Sequence, residues 1–71
     1  MVLYDLLKNI FKDISIIYIY KFYDSDYYED TFVEFAYAGP VSEIPFELLE
    51  FQSSVYYLNK NANILVVGVE A

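Results

Sequence analysis

The density of aromatic side chains constrains the fold of this chain more than any other feature. Nine Tyr and six Phe residues stand among only 71. A domain this short buries about 60% of the surface that its unfolded chain exposes, so its core must be rich in large side chains. Such side chains are abundant, because 58% of the residues are apolar. We therefore expect residues 1–71 to form one folded domain rather than a disordered chain.

Hydrophobic spacing near the N-terminus predicts an amphipathic helix over about residues 2–12. Apolar residues recur there at the i, i+3, i+4, i+7 and i+8 positions, namely Leu3, Leu6, Leu7, Ile10 and Phe11. Asp5 and Lys8 fall on the opposite side. The helix is expected to pack through its apolar side.

The remaining pattern predicts two hairpins joined by a short helix. β-Branched and aromatic residues at 14–23 and 31–38 indicate the first pair of strands, which Gly39 and Pro40 should end. Pro45 is placed to begin a short second helix. The final hairpin joins 53–58 to 63–70 through an Asn-rich turn that tolerates left-handed backbone angles. The order α-β-β-α-β-β predicts an α+β fold, in which the first helix crosses one face of a four-stranded antiparallel sheet.

The amino-acid composition excludes most catalytic mechanisms. The chain has no His and no Cys, which excludes the common Ser-His and Cys-His pairs and leaves no zinc, haem or iron–sulfur ligand set. A domain of this size also has little volume for a substrate pocket beside its core. We expect a protein that is not an enzyme and binds no cofactor. The lack of cysteine, of a signal-peptide pattern and of a long apolar run predicts a cytoplasmic location.

The net charge indicates the class of partner. Eleven acidic residues against four basic ones give a formal charge of −7. Direct binding to nucleic acid or to an anionic membrane is disfavoured, because both carry negative charge. A basic protein surface is the natural counterpart.

Acidic residues fall in two groups. The connection between the first two strands contributes carboxylates beside two tyrosines, at Asp24, Asp26, Tyr27, Tyr28, Glu29 and Asp30. It lacks the glycine and the final glutamate of a calcium-binding EF-hand loop. Two interpretations stay open, namely a receptor for Arg or Lys side chains and an ordinary solvated loop whose tyrosines fold over the sheet edge. Around the second helix, Glu43, Glu47 and Glu50 extend the acidic surface, which could imitate nucleic-acid charge spacing or serve solubility alone.

A third candidate surface is the side of the sheet that the first helix leaves uncovered. We assign Ile17, Ile19 and Tyr23 to that side, where they would form a dimer face or contact another protein. Alternatively, the short second helix and the loop tyrosines cap it.

Residues 35–49 resemble a pattern of small acidic proteins from Gram-positive bacteria and their phages. In that pattern, an aromatic strand ending in Tyr-Ala (here Tyr37-Ala38) leads through an acidic-Ile-Pro step (Glu43-Ile44-Pro45) into a Leu-Leu helix (Leu48-Leu49). Pro40 and Val41 are additional residues in this chain. The resemblance implies a phage or mobile-element accessory protein, a class that includes inhibitors of host nucleic-acid enzymes.

Two functional hypotheses follow. The first is a non-enzymatic protein-binding module that inhibits a nucleic-acid-binding host protein through its acidic, Tyr-rich surface. The alternative is a structural or assembly protein that forms a homodimer, or joins a larger complex, through an apolar sheet face.

Overall fold

A computed structural model describes residues 1–11, 13–24 and 31–70 of the chain. One α-helix precedes four strands, and two short 3-10 turns separate the second strand from the third. The helix α1 is Leu3–Asn9, the strands are β1 Ile16–Asp24, β2 Thr31–Pro40, β3 Gln52–Asn59 and β4 Ile64–Glu70, and the 3-10 turns are Val41–Glu43 and Phe46–Glu50. The predicted α+β class is confirmed.

The strands form a mixed sheet in the order β2-β1-β4-β3. Both outer pairs are antiparallel, whereas the central strands β1 and β4 run parallel, with Ile19 opposite Val67. Val2 adds an isolated antiparallel bridge to Gln52. The expectation of a wholly antiparallel sheet is wrong, because the segment after β2 crosses the sheet and places the second hairpin beside β1 instead of beside β2.

The first helix is shorter than the predicted 2–12, and the predicted short second helix is not an α-helix. The helix α1 ends at Asn9, since Ile10 caps it through a hydrogen bond from its backbone N–H to the Leu6 carbonyl oxygen. A 3-10 turn replaces the predicted second helix. The N–H of Leu48 donates to the Pro45 oxygen three residues earlier, at 3.0 Å. Only five residues lie between Pro45 and Phe51, too few for a stable α-helix.

The strand β2 continues through Gly39 and Pro40, which were expected to end it. Gly39 pairs with Ile17 and Pro40 with Ile16. An edge strand tolerates proline, and the φ of +150° at Gly39 is one that glycine adopts readily. The Tyr37 hydroxyl donates a hydrogen bond to the Pro40 carbonyl oxygen at 2.6 Å.

The predicted Asn-rich turn joins β3 to β4, and the residue with a left-handed angle is Asn63, at a φ of 54°, which the sequence pattern had assigned to the following strand. The Asn59 side-chain oxygen accepts hydrogen bonds from the N–H groups of Asn61 and Ala62, at 3.1 and 3.2 Å. The Asn63 side chain donates to the Asp13 carbonyl oxygen at 2.9 Å and so ties the turn to the segment before β1.

The hydrophobic core lies on one side of the sheet, beneath α1 and the 3-10 turns. Its buried side chains are Leu3, Leu6, Leu7, Ile17, Ile19, Ile44, Leu48, Leu65, Val67 and Val69. A hydrogen bond of 2.8 Å from the Leu3 N–H to the Phe51 oxygen holds the helix beside the second turn. The helix and the 3-10 turns therefore cover the middle of this side of the sheet, whereas Phe32 and Tyr56 on the two edge strands stay more than half exposed.

The assignment of Ile17 and Ile19 to a dimer face is wrong. Both side chains are 0% exposed and lie in the core. Tyr23 extends from the same side of β1 near the end of the strand, where it is exposed. The helix covers the side that was expected to be open, and the two sides of β1 are interchanged relative to the prediction.

Candidate interaction surface

The side of the sheet opposite the core carries a layer of aromatic and aliphatic side chains, here called the open face. Side chains alternate along a strand, so the residues between the buried ones point to this side. Its members are Ile16, Tyr18, Tyr20 and Phe22 of β1, Val33, Phe35 and Ala38 of β2, Tyr57 of β3, and Ile64 and Val66 of β4. Among the described residues, the helix and the 3-10 turns supply their buried side chains to the other side.

Large side chains of the open face reach far into solvent. Phe35 is 57% exposed and Tyr57 is 66% exposed, on opposite edges of the sheet. A register shift between Ile19 and Tyr20 aligns Tyr20 with Phe35, and their rings meet edge to face with centroids 5.8 Å apart. Edge-to-face contact is a favourable aromatic geometry. The bulge therefore holds Phe35 in place on this face.

A glycine in the central strand shapes the middle of the open face. An added Cβ at Gly68 would lie 1.9 Å from the Phe22 ring, so this ring rests directly against the β4 backbone. Beside it lies a groove of about 400 Å³ whose lining includes Val33, Tyr57 and Val66. The groove crosses the sheet from β2 to β3, which makes it continuous with the exposed rings at both edges.

The open face is almost free of charge. Among the side chains that the structure describes, the register assigns it one charged group, that of Glu70 at the end of β4. Lys21 belongs to the other side, where its ammonium lies 5.4 Å from the centre of the Phe51 ring. Aromatic sheet faces that stack nucleobases rely on nearby cations to hold the phosphates. This face fits an apolar protein surface better than a nucleic acid.

A second surface lies on the outer layer of the opposite side, and it is acidic. Glu43, Glu47 and Glu50 are all exposed on the 3-10 turns. Between them Phe46 is 83% exposed, and a groove of about 420 Å³ runs from Phe46 to Tyr4 of α1. Carboxylates beside exposed rings can receive Arg or Lys side chains.

The second surface was predicted to lie next to the acidic connection between β1 and β2. The predicted partner-binding residues of that connection, Asp26, Tyr27, Tyr28, Glu29 and Asp30, lie outside the described residues. Asp24 is the last residue of β1. The pairing of the two acidic groups therefore stays a prediction.

Two tyrosines near this acidic layer are held in the neutral form. A hydrogen bond with the Glu34 side chain, together with desolvation and the charge of that carboxylate, raises the pKa of Tyr23 above its usual value. Desolvation, together with the charge of Glu43, raises the pKa of Tyr37. Both phenols keep their protons well above neutral pH. They act as hydrogen-bond donors rather than as bases.

Within residues 1–11, 13–24 and 31–70, no three His, Cys, Asp or Glu side chains gather as metal ligands. None of the helices in that part of the chain has the length and apolar character to cross a bilayer.

Sequence reasoning predicted an uncovered side of the sheet but assigned the wrong residues of β1 to it, because β1 is apolar on both sides. One signal was present. The residues at 18, 20 and 22 are aromatic, whereas those at 17 and 19 are aliphatic, and aliphatic side chains pack more readily into a small core beneath a helix. Compared with known proteins, the chain matches no family model, no curated protein and no solved structure.

Proposed function

We propose that this chain is a non-enzymatic protein-binding module that acts through its open face. The observation that carries the proposal is the layer of apolar side chains across all four strands, which are partly exposed on β1 and β4 and more than half exposed at Phe35 and Tyr57 on the edge strands. Contiguous apolar surface of this kind marks interaction sites in small soluble domains. Tyr and Phe are also enriched at the centres of protein interfaces, where they contribute large contact areas.

The same surface offers little for catalysis. Among the described side chains, its polar groups are the tyrosine hydroxyls, the carboxylate of Glu70, and the side-chain amides of Gln52 and Asn59 at the two ends of β3. General acid–base or nucleophilic chemistry needs a group with a suitable pKa beside a reacting atom. An apolar contact layer supports binding and supplies no such group.

Photo-crosslinking from the open face tests this function. The photoreactive residue p-benzoylphenylalanine would replace Phe35 in one variant and Phe46 in another, each expressed in the native host. Both positions are exposed phenylalanines, but they lie on opposite sides of the sheet. We expect protein adducts, either with another protein or with a second copy, to form mainly from position 35. Adducts would be identified by mass spectrometry.

Position 46 is the matched control, because it reports random collision with an exposed aromatic residue. If position 35 gives no more adducts than position 46, the open face is not the binding surface. Adducts from position 46 alone would favour the acidic surface instead.

A second candidate function is inhibition of a nucleic-acid-binding protein through the acidic surface. It is favoured by the exposure of Glu43, Glu47 and Glu50 around Phe46. The resemblance to small acidic proteins of Gram-positive bacteria and their phages supports the same role. Negative charge beside an exposed ring complements a basic groove on such a partner.

A labelled oligo-arginine peptide is a suitable probe for this second function. We expect the wild-type chain to bind it at low salt and to lose affinity as salt rises, since screening weakens exposed charge pairs. The variant carrying Glu43→Gln, Glu47→Gln and Glu50→Gln should bind about 10-fold more weakly, because three exposed ion pairs at about 0.5 kcal/mol each sum to about 1.5 kcal/mol. Fluorescence anisotropy would measure both. Equal affinity of the variant and the wild type would exclude these carboxylates as the binding site.

A further inference from the structure

We infer that the partner of the open face is a second copy of this chain, and that two copies stack face to face around a two-fold axis. This inference rests on the proposed function, because it names the occupant of the same surface. The resulting particle has four layers, with the two sheets inside and the helices and 3-10 turns outside. Three properties carry the argument, namely the charge of the open face, the area of that face and the packing of its central ring.

The low charge of the open face favours an apolar and uncharged partner surface. The acidic side chains of Glu43, Glu47 and Glu50 belong to the opposite layer, whereas Glu70 is the charged group that the described side chains contribute to the open face. A basic partner would gain little here, because the described side chains of this face provide a single carboxylate, that of Glu70. A second open face satisfies the requirement, since it is equally apolar and keeps the acidic layers of both copies on the outside.

Area favours a whole sheet over a single peptide segment. Four strands about 4.8 Å apart, with about seven residues at about 3.3 Å each, make a face of roughly 19 by 23 Å. Its projection is on the order of 440 Å², while a stable interface buries about 800 Å² per partner. Because side chains project from the sheet, the accessible area of the face is larger than its projected area. A stable complex nevertheless has to cover the whole face. A stacked sheet covers all four strands, whereas one added strand or helix leaves much of the face in water.

The packing of the central ring of the open face suits sheet stacking. Because Gly68 has no side chain, the Phe22 ring rests against the β4 backbone instead of standing away from the sheet. Phe35 and Tyr57, which are both more than half exposed, lie at the two edges of the sheet. Sheets pack about 10 Å apart with their strands within about 30° of parallel. A two-fold axis between the stacked faces then sets the edge strands of one copy against the edge strands of the other, so that Phe35 and Tyr57 contribute to the two rims of the interface.

Sedimentation equilibrium of the purified full chain tests the inference. We expect a monomer–dimer equilibrium whose dissociation constant falls as salt is added. The formal charge of −7 on each copy opposes association, and salt screens that repulsion while leaving apolar contact intact. This salt response is opposite in sign to that of acidic docking onto a basic partner.

Two variants locate the interface. Phe35→Lys and Tyr57→Lys each place a charge on the open face at an exposed position, and each should raise the dimer dissociation constant at least 30-fold, the order of effect of losing one interface hot spot. Phe46→Lys is the matched control, because it makes the same change at an exposed aromatic residue of the opposite layer. We expect the control to dimerise like the wild type. Far-UV circular dichroism would verify that all three variants are folded.

The outcomes separate this inference from the proposed function. A wild-type chain that stays monomeric at all concentrations and salt levels overturns the second copy as the occupant. Crosslinks from position 35 to other proteins would then still support binding through the open face. A dimer that Phe46→Lys disrupts and Phe35→Lys leaves intact also overturns the inference, because the contact would lie on the other layer.

Discussion

Replacing Ile19 by lysine is expected to unfold the domain. The Ile19 side chain is 0% exposed and lies opposite Val67 of β4 and Tyr37 of β2. An unpaired ammonium buried there costs more than about 4–5 kcal/mol. A domain of this length has only about 4–11 kcal/mol of stability in total, at about 0.05–0.15 kcal/mol per residue. Far-UV circular dichroism and amide proton dispersion in NMR spectra would report the loss of structure.

Tyr20→Lys is the matched control for this prediction. Tyr20 is the next residue of the same strand, but it belongs to the open face and is partly exposed. A lysine there can extend its ammonium into water along an apolar stem. The variant should fold, with a loss of about 1–2 kcal/mol from the missing ring contact. If Tyr20→Lys unfolds and Ile19→Lys does not, the two sides of the sheet have been assigned the wrong way round.

Adding one methyl group at Gly68 is expected to displace the Phe22 ring. The new Cβ would stand 1.9 Å from one ring carbon and 2.8 Å from the next, far inside contact distance. The ring must turn away from β4 or the strand must shift. Overpacking of this kind costs about 1–3 kcal/mol. Urea unfolding of Gly68→Ala, compared with the wild type, would measure the loss.

A double-mutant cycle isolates the contact between these two residues. In the Phe22→Ala background the ring is absent, so Gly68→Ala should cost much less than it does alone. We expect a coupling free energy of about 1–2 kcal/mol. Simple additivity of the two single changes would mean that the cost at Gly68 arises from the backbone and not from the ring.

The helix and the four strands could be predicted from local patterns. Leu3, Leu6 and Leu7 repeat at helical spacing, and all three are buried in the structure. The strands follow from β-branched and aromatic runs, and the predicted Asn-rich turn joins β3 to β4. These features depend on neighbours within a few residues of each other, which is where sequence patterns carry the most information.

The arrangement of the strands depends on contacts between distant residues, which local patterns do not encode. Residues 64–69 form an uninterrupted apolar run, as is typical of a central strand covered by neighbours on both sides. That run could have indicated that β4 lies inside the sheet beside β1. The sequence analysis assumed instead that the two hairpins lie side by side, and this assumption does not place β4 beside β1.

The two sides of β1 could not be distinguished by hydrophobicity alone. Lys21 falls on the side of Ile17 and Ile19, which made that side look more exposed than its partner. In the structure its ammonium stays near the Phe51 ring, so the lysine lies beside the core without entering it. A single long side chain therefore reversed the apparent polarity of the strand.

The parallel pairing of β1 with β4 has a consequence for synthesis of the chain. The ribosome completes β1 and β2 first, but the inner neighbour of β1 is not translated until residues 64–70. Throughout that interval the nascent hairpin has an unpaired backbone edge along β1, next to aromatic residues on one side and isoleucines on the other. Premature termination before residue 64 would leave this edge permanently unpaired, and such an edge is a template for aggregation.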